Sequence, residues 1–372
     1  MKIIKAHCAK HDKWFKIAVE DDGRVINFEN VTADAAKGFE TQVKDTYFET
    51  APNLRACMKC GSRHVGRCNH VENWKHCDLE YFYQCLYCDQ LRISLKGADS
   101  RYSEYVGQSN IVGAKLDRHG NPLGEQYDLA KRNGFKGFRV VIVCGYSGFA
   151  RDREDGRKLY AGPVTALRGK GFEVITIHRE DYQYFNNDKM INARALEKQL
   201  TPNTQLWIIS DSVRIFGDDA IGVVEQFYKG GGGLYLWGDN TPFHVDANLI
   251  SQRLFGLTMH GDYIGEHVLG VKDRTSAGGI IPGHPISTGL AHFYEGITIA
   301  ALQTNREVLP LVYSSDGNVV TAYSESNNSR LLLDGGFTRL YCSWEDAGTG
   351  RFVTNCAAWL ANAKDDRELA FT

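Results

Sequence analysis

The chain lacks three features that would assign a broad class at sight. It has no excess of either charge: 43 Lys and Arg stand against 45 Asp and Glu in 372 residues. No general field therefore draws it to nucleic acid or to an anionic membrane. It has no apolar run of transmembrane length, and its opening stretch, MKIIKAHCAKHDKWFK, sets Cys, His and Lys where a signal peptide needs unbroken apolar residues. It also has no internal repeat and no low-complexity tract. These absences lead us to expect a soluble, cytoplasmic protein with no membrane partner, whose function resides in local constellations. Its length suits two domains better than one.

Cysteine is present in quantity and is unevenly placed. Seven of the ten cysteines precede residue 89, and four of those form the pairs Cys57-x-x-Cys60 and Cys85-x-x-Cys88. In a reducing compartment such thiols remain available as thiolates, and two such knuckles suffice for one closed tetrahedral zinc site. A site of four thiolates has no open position for water, so its expected role is structural. Cys8-x-x-His11, His64, Cys68-x-His70 and His76-Cys77 supply ligands for a second zinc, with Cys8, His11, Cys68, His70 and Cys77 the leading candidates. An interleaved pairing is equally open, with Cys8 and His11 joining Cys57 and Cys60 while Cys85 and Cys88 take Cys68 with His70 or Cys77. Between residues 55 and 77, Arg55, Lys59, Arg63, Arg67 and Lys75 stand against Glu72 alone, which leaves nucleic acid a candidate partner of this zinc-ribbon-like module.

Residues 1–107 read as a small hairpin-rich module, with EDDG turning between the alternating segments KWFKIAV and RVINF. Residues 108–137, polar and punctuated by glycine, read as a linker. From 138 to 372 short apolar runs alternate with helical periodicity: RVVIVCG, FEVITIH, QLWIIS and GGLYLWG as strands, with helices between them. That pattern predicts an α/β domain, doubly wound on a mainly parallel sheet. Residues from Leu257 to about Glu325 read as extra strands or a flap, and RFVTNCAAWLANA as a closing amphipathic helix.

The run Gly230 to Gly233 follows a helix and precedes a strand, the reverse of a phosphate loop. It suits a helix C-cap and a tight return into the sheet. The informative residues follow the strand, because open α/β sheets bind ligands beyond the carboxyl ends of their strands. Asp211 and Ser212, Cys144 and Tyr146, and Asp239, Asn240 and His244 all belong to such exits. Short polar residues here also serve to cap the next helix.

Taken together, the strand order, GGGLYLWGDN, GHPISTGL at 283–290, RLLLDGGF and GTGRFVTNCAAWLAN make residues 138–363 resemble the class I glutamine amidotransferase-like superfamily, including its ThuA-like branches. The resemblance implies a flavodoxin-like sheet. In catalytic members the fourth strand ends in a G-x-C-x-G elbow that exposes a nucleophilic thiol. Here Gly238-Asp239-Asn240-Thr241-Pro242 takes that place. An amide is not a nucleophile and proline alters the turn, so glutaminase activity is not expected. His284 has no thiol to activate and is expected to cap a turn. Cys144 lacks an elbow and is expected to be buried.

The leading expectation is a non-catalytic protein: a zinc-binding module joined to a degenerate amidotransferase-like domain that binds a protein partner or a small ligand. Two alternatives stand beside it. One is a hydrolase-type enzyme using Asp211, Asp239, Asn240 and His244; the other is an accessory factor that binds nucleic acid through the ribbon.

Overall fold

A computed structural model describes residues 2–8, 13–19, 25–31 and 48–50, Arg101, and 114–146, 161–272, 276–281, 284–326 and 329–361. The chain divides into two compact units, Met1–Gly97 and Ala98–Thr372. In the first, strands β1 (Lys2–Cys8), β2 (Lys13–Val19), β3 (Val25–Val31) and β4 (Phe48–Thr50) form a sheet in the order 3-2-1-4. β2 and β3 pair antiparallel, as the alternation around EDDG demands, and β4 lies parallel to β1. Of the zinc candidates, His11, Cys57, Cys60, Cys68, His70, Cys77, Cys85 and Cys88 lie outside the described residues, as do His64 and His76. Cys8 is described only as the last backbone position of β1.

The second unit is built on an eight-stranded, mostly parallel sheet. β5 (Arg139–Cys144), β6 (Glu173–His178), β7 (Thr204–Ile209), β8 (Gly233–Trp237) and β16 (Ser329–Asp334) are parallel neighbours in the order 6-5-7-8-16. In chain order that is 2-1-3-4-5, the doubly wound arrangement. β7 and β8 are buried at every position, which explains the apolar runs LWII and LYLW within them; the buried polar Gln205 at the start of β7 is bonded to the Ala357 carbonyl and to Trp207. The segment expected to add strands does so: β14 (Leu309–Tyr313) and β15 (Val319–Ser326) extend the sheet antiparallel from β16, and β11 (Gly279–Ile280) ends it. Two further ribbons form beside it, β9 (Met259–Ile264) with β13 (Thr298–Leu302), and β10 (Val268–Gly270) with β12 (His292–Tyr294).

Alternation along the strands sends side chains to two cores. Val140, Ile142, Trp207, Tyr235 and Leu332 pack under α1 (Ala161–Gly169) and α5 (Thr349–Leu360). Val141, Val143, Leu206, Leu234 and Leu331 pack under α2 (Ala193–Glu197), α3 (Asp218–Lys229) and α4 (Val245–Phe255). The helix ends follow local chemistry. Asn192 caps α2 by accepting from the Ala195 N–H at 3.1 Å, Asp218 and Asp219 oppose the dipole at the start of α3, and Gly256 closes α4 at φ 70°.

The glycine run behaves as its position predicts. Gly230 caps α3, and a Cβ on Gly233 would stand 2.3 Å from the Leu360 carbonyl oxygen, so β8 enters the sheet directly against the end of α5. Residues 114–137, expected as linker, differ from that reading. Leu129, Ala130 and Phe135 are buried in the first core, and Asp128 takes Lys170 Nζ and Arg351 Nε, each at 2.6 Å. Their apolar residues are too few and too irregular to show a period, yet tertiary contacts fix them.

Candidate functional site

Four strand exits meet at the carboxyl edge of the parallel sheet. β5 delivers Tyr146, β7 delivers Asp211, β8 delivers Asp239 and Asn240, and the turn after β16 delivers Thr338 and Tyr341. Tyr146 sits centrally, its ring 5.3 Å from that of Phe243 and 5.0 Å from that of Phe337. Burial, then the charges of Asp211 and Asp239, raise its phenol above the ordinary range, so both carboxylates lie within electrostatic reach of one hydroxyl.

Asp239 is buried, and its carboxyl group is held by three donors. Its Oδ1 accepts from the Asn240 N–H at 2.9 Å and from the Thr298 hydroxyl, and its Oδ2 accepts from the Thr338 N–H at 3.3 Å. Burial outweighs these bonds and the nearby Arg339, and pushes its pKa up to about 7. The same carboxyl group, after burial, raises the Tyr341 phenol. Asp211 is also buried. It accepts from Arg179 Nη1 at 2.9 Å and from the Ser212 N–H at 2.7 Å. Arg179, which follows β6, thus spans the β5 exit, the point where the strand order reverses.

Asn240 and His244 turn the other way, towards β9. Asn240 Nδ2 donates to Asp262 Oδ1 at 2.7 Å. His244 has both ring nitrogens engaged. Asn248 Oδ1 accepts from the Met259 N–H at 2.6 Å, which orients its amide so that Nδ2 donates to His244 Nδ1 at 3.1 Å. The proton of the neutral ring then belongs on Nε2, 3.3 Å from the Thr241 hydroxyl, which itself donates to the Gly261 carbonyl at 2.9 Å. Burial, then His260, hold this imidazole below its usual pKa. His244 therefore ties the β8 exit to β9 as a neutral ring. Gly238 makes this possible, because a Cβ there would meet Met259 Sδ at 2.5 Å and His244 Cβ at 2.8 Å.

The four sequence candidates thus separate into two pairs: Asp211 and Asp239 around Tyr146, Asn240 and His244 on the β9 side. His284 caps the turn Pro285–Ser287, its Nδ1 accepting from the Ile286 N–H at 3.3 Å. Cys144 is buried in the first core. Sequence reading passed over Arg179, Thr298, Thr338 and Tyr341, whose residue types carry no motif and whose partners lie far off in the chain. Beneath them Asp334, at the end of β16, pairs with Arg339 at 3.0 Å, both side chains fully buried. Arg339 Nη2 also donates to the Glu295 carbonyl at 2.6 Å, which fixes the turn carrying Thr338 and Tyr341.

Among the described residues, no group of three or more His, Cys, Asp and Glu gathers as a metal site, and no helix is long and apolar enough to cross a membrane. No protein family and no curated protein matches the chain. Solved structures do resemble it. The mmIFT52 N-terminal domain aligns at 12% identity over 59% of this chain and 97% of that one, with a TM-score of 0.44. A cytoplasmic protein of Salmonella typhimurium aligns at 9% identity over 59% and 98%, with a TM-score of 0.39. A protein of Bacteroides uniformis described as ThuA-like aligns at 14% identity over 64% and 95%, with a TM-score of 0.36. Likenesses this distant carry no inference about activity, ligand or partner.

Proposed function

We propose that the β8 exit of this chain is a non-catalytic binding site: a zinc-bearing N-terminal module is joined to an amidotransferase-like domain whose strand edge recognises a ligand or a protein partner and does not hydrolyse glutamine. One observation carries the reading. Where a nucleophile and its base would stand, Asp239, Asn240 and His244 are all bonded within the protein. A general base must be free to reach the proton it abstracts. His244 is not, because its Nδ1 lone pair is directed at Asn248. The edge also carries Tyr146 and Tyr341, whose phenols both feel the Asp239 carboxyl group, and the Arg179–Asp211 pair. These are groups that recognise by hydrogen bonding.

The test is ammonia release from L-glutamine by the full chain and by Asn240→Cys. Neither is expected to show release above buffer, since a thiol at this position gains no base and no pair of oxyanion donors. Release by the unmodified chain that Asp239→Ala abolishes would overturn the reading.

A further inference from the structure

Among the described residues, one imidazole held at one nitrogen and exposed at the other stands in a stretch without a motif. His267 lies between β9 and β10, clamped by backbone bonds to the segment after β12: Gly265 N–H to the Ile297 carbonyl at 2.8 Å, Glu266 N–H to Gly296 at 2.7 Å, and Glu295 N–H to His267 at 3.1 Å. Gly265 is needed for this approach, because a Cβ there would stand 2.4 Å from the Gly296 carbonyl oxygen. The clamp sets His267 beside Glu295, whose side chain is fully buried. Burying a carboxylate is costly unless it is bonded, and this one is. Glu295 Oε2 accepts from the Ser315 N–H and Oε1 from the Ser315 hydroxyl, each at 2.8 Å, and His267 Nδ1 lies 3.2 Å from Oε1.

The partners of Nδ1 fix the tautomer. They are the Gly265 carbonyl at 2.6 Å, the Glu295 carboxylate, and the Ser315 oxygen at 3.3 Å, whose hydrogen is already given to Glu295. All three accept, so Nδ1 holds a proton and Nε2 carries the lone pair. The His267 side chain is 63% exposed, which leaves that lone pair accessible. His244 shows the opposite arrangement, with both nitrogens consumed. A buried carboxylate behind Nδ1 and an open Nε2 are the geometry by which an imidazole takes protons, the carboxylate stabilising the cation that forms.

We propose that His267, positioned by Glu295 and Ser315, is a general-base centre that transfers acyl groups of simple esters to water. An O–H bond of water breaks and its proton passes to Nε2. The oxygen pair adds to the ester carbonyl carbon as the C=O pair moves to the carbonyl oxygen; the return of that pair breaks the acyl C–O bond, and the proton passes from Nε2 to the departing alkoxide, giving the alcohol and the carboxylic acid. No oxidant, reductant or metal is required. The chemistry uses none of the side chains assigned to the β8 exit, so it stands or falls independently of the absence of glutaminase chemistry there.

Two measurements on the full chain test it, using diethyl pyrocarbonate and p-nitrophenyl acetate as probes. The first acylates the free nitrogen of an imidazole and releases ethanol and carbon dioxide; mass spectrometry reads each histidine separately. At about pH 8, where imidazoles are largely neutral, His267 is expected to react faster than the exposed His260. Glu295→Gln is expected to slow His267 about tenfold and leave His260 unchanged, a local effect that general loss of structure would not give. Where Glu295→Gln does not fold, Ser315→Ala is expected to slow His267 several-fold with the same selectivity. Hydrolysis of p-nitrophenyl acetate is expected to fall about tenfold or more in His267→Gln. Equal reactivity of His267 and His260, equal slowing of both by Glu295→Gln, or full retention of hydrolysis in His267→Gln would each overturn the proposal.

Discussion

Asp239 shows how one buried carboxyl group couples the strand exit to pH. Its folded-state pKa is raised to about 7 from an ordinary 3.8, so between those values the folded protein binds a proton that the unfolded chain has lost. The stability it confers is fully present below the unfolded pKa and is lost as pH rises through 7. Asp246, raised by burial to about 6, acts in the same direction, so the whole-protein slope is a sum. Asp239→Asn isolates the first contribution. The difference in urea-unfolding free energy between the variant and the parent is expected to change by a few kcal/mol between about pH 4 and about pH 7, in favour of the variant at the higher pH. A difference that stays constant with pH would show that the carboxyl group does not titrate in the fold.

Elements here are held at their ends by contacts of two kinds, and glycine substitutions separate them. Gly222 lies inside α3 with nothing within 4 Å of the place a Cβ would take, so Gly222→Ala is expected to raise stability by about 0.5 to 1 kcal/mol through helix propensity. Gly233 faces the Leu360 carbonyl at 2.3 Å, so Gly233→Ala must push β8 from α5, at a cost of about 1 to 3 kcal/mol. The check is the sign of the shift in urea midpoint, opposite for the two variants at unchanged m. The junction of α4 with β9 depends instead on an amide. Asn248→Ala removes the bonds to both backbone groups of Met259 and to His244. It is expected to lower stability by about 1 to 3 kcal/mol, because a donor and an acceptor lose their partners together.

On the scale of the whole molecule, two compact units predict separable folding. The fragment 98–372 contains both packed cores and the complete eight-stranded sheet, and is expected to give a single cooperative urea transition by itself. For residues 1–97 the expected source of stability is zinc, since a closed thiolate site contributes folding energy that a small module otherwise lacks. Full-length protein purified without chelator is expected to carry one or two zinc ions. Cys57→Ser or Cys88→Ser is expected to release metal and to leave the transition of the second unit unchanged. Metal analysis showing no stoichiometric zinc would remove this account.

What the sequence by itself determined is the set of features with a short-range physical cause. Strands buried on both faces are dominated by apolar residues, so the cores of β5, β7 and β8 stand out as runs; a glycine run after a helix and before a strand must be a cap and a return; an amide at Asn240 has no nucleophilic chemistry in any fold. The alternation of these elements also yields the doubly wound, mainly parallel sheet. Tertiary structure alone decided which side chains meet. Asp239 is joined to Thr298 and Thr338 across 59 and 99 residues, and Asp128 of the expected linker to Arg351 across 223. It also decided how each of two histidines is held: His244, beside the conspicuous strand exit, is closed by Asn248, whereas His267, in a stretch without a motif, is held at Nδ1 by Glu295 and Ser315. Such pairings depend on chain crossings that no local period records, because burial, hydrogen-bond saturation and tautomer are properties of the assembled neighbourhood.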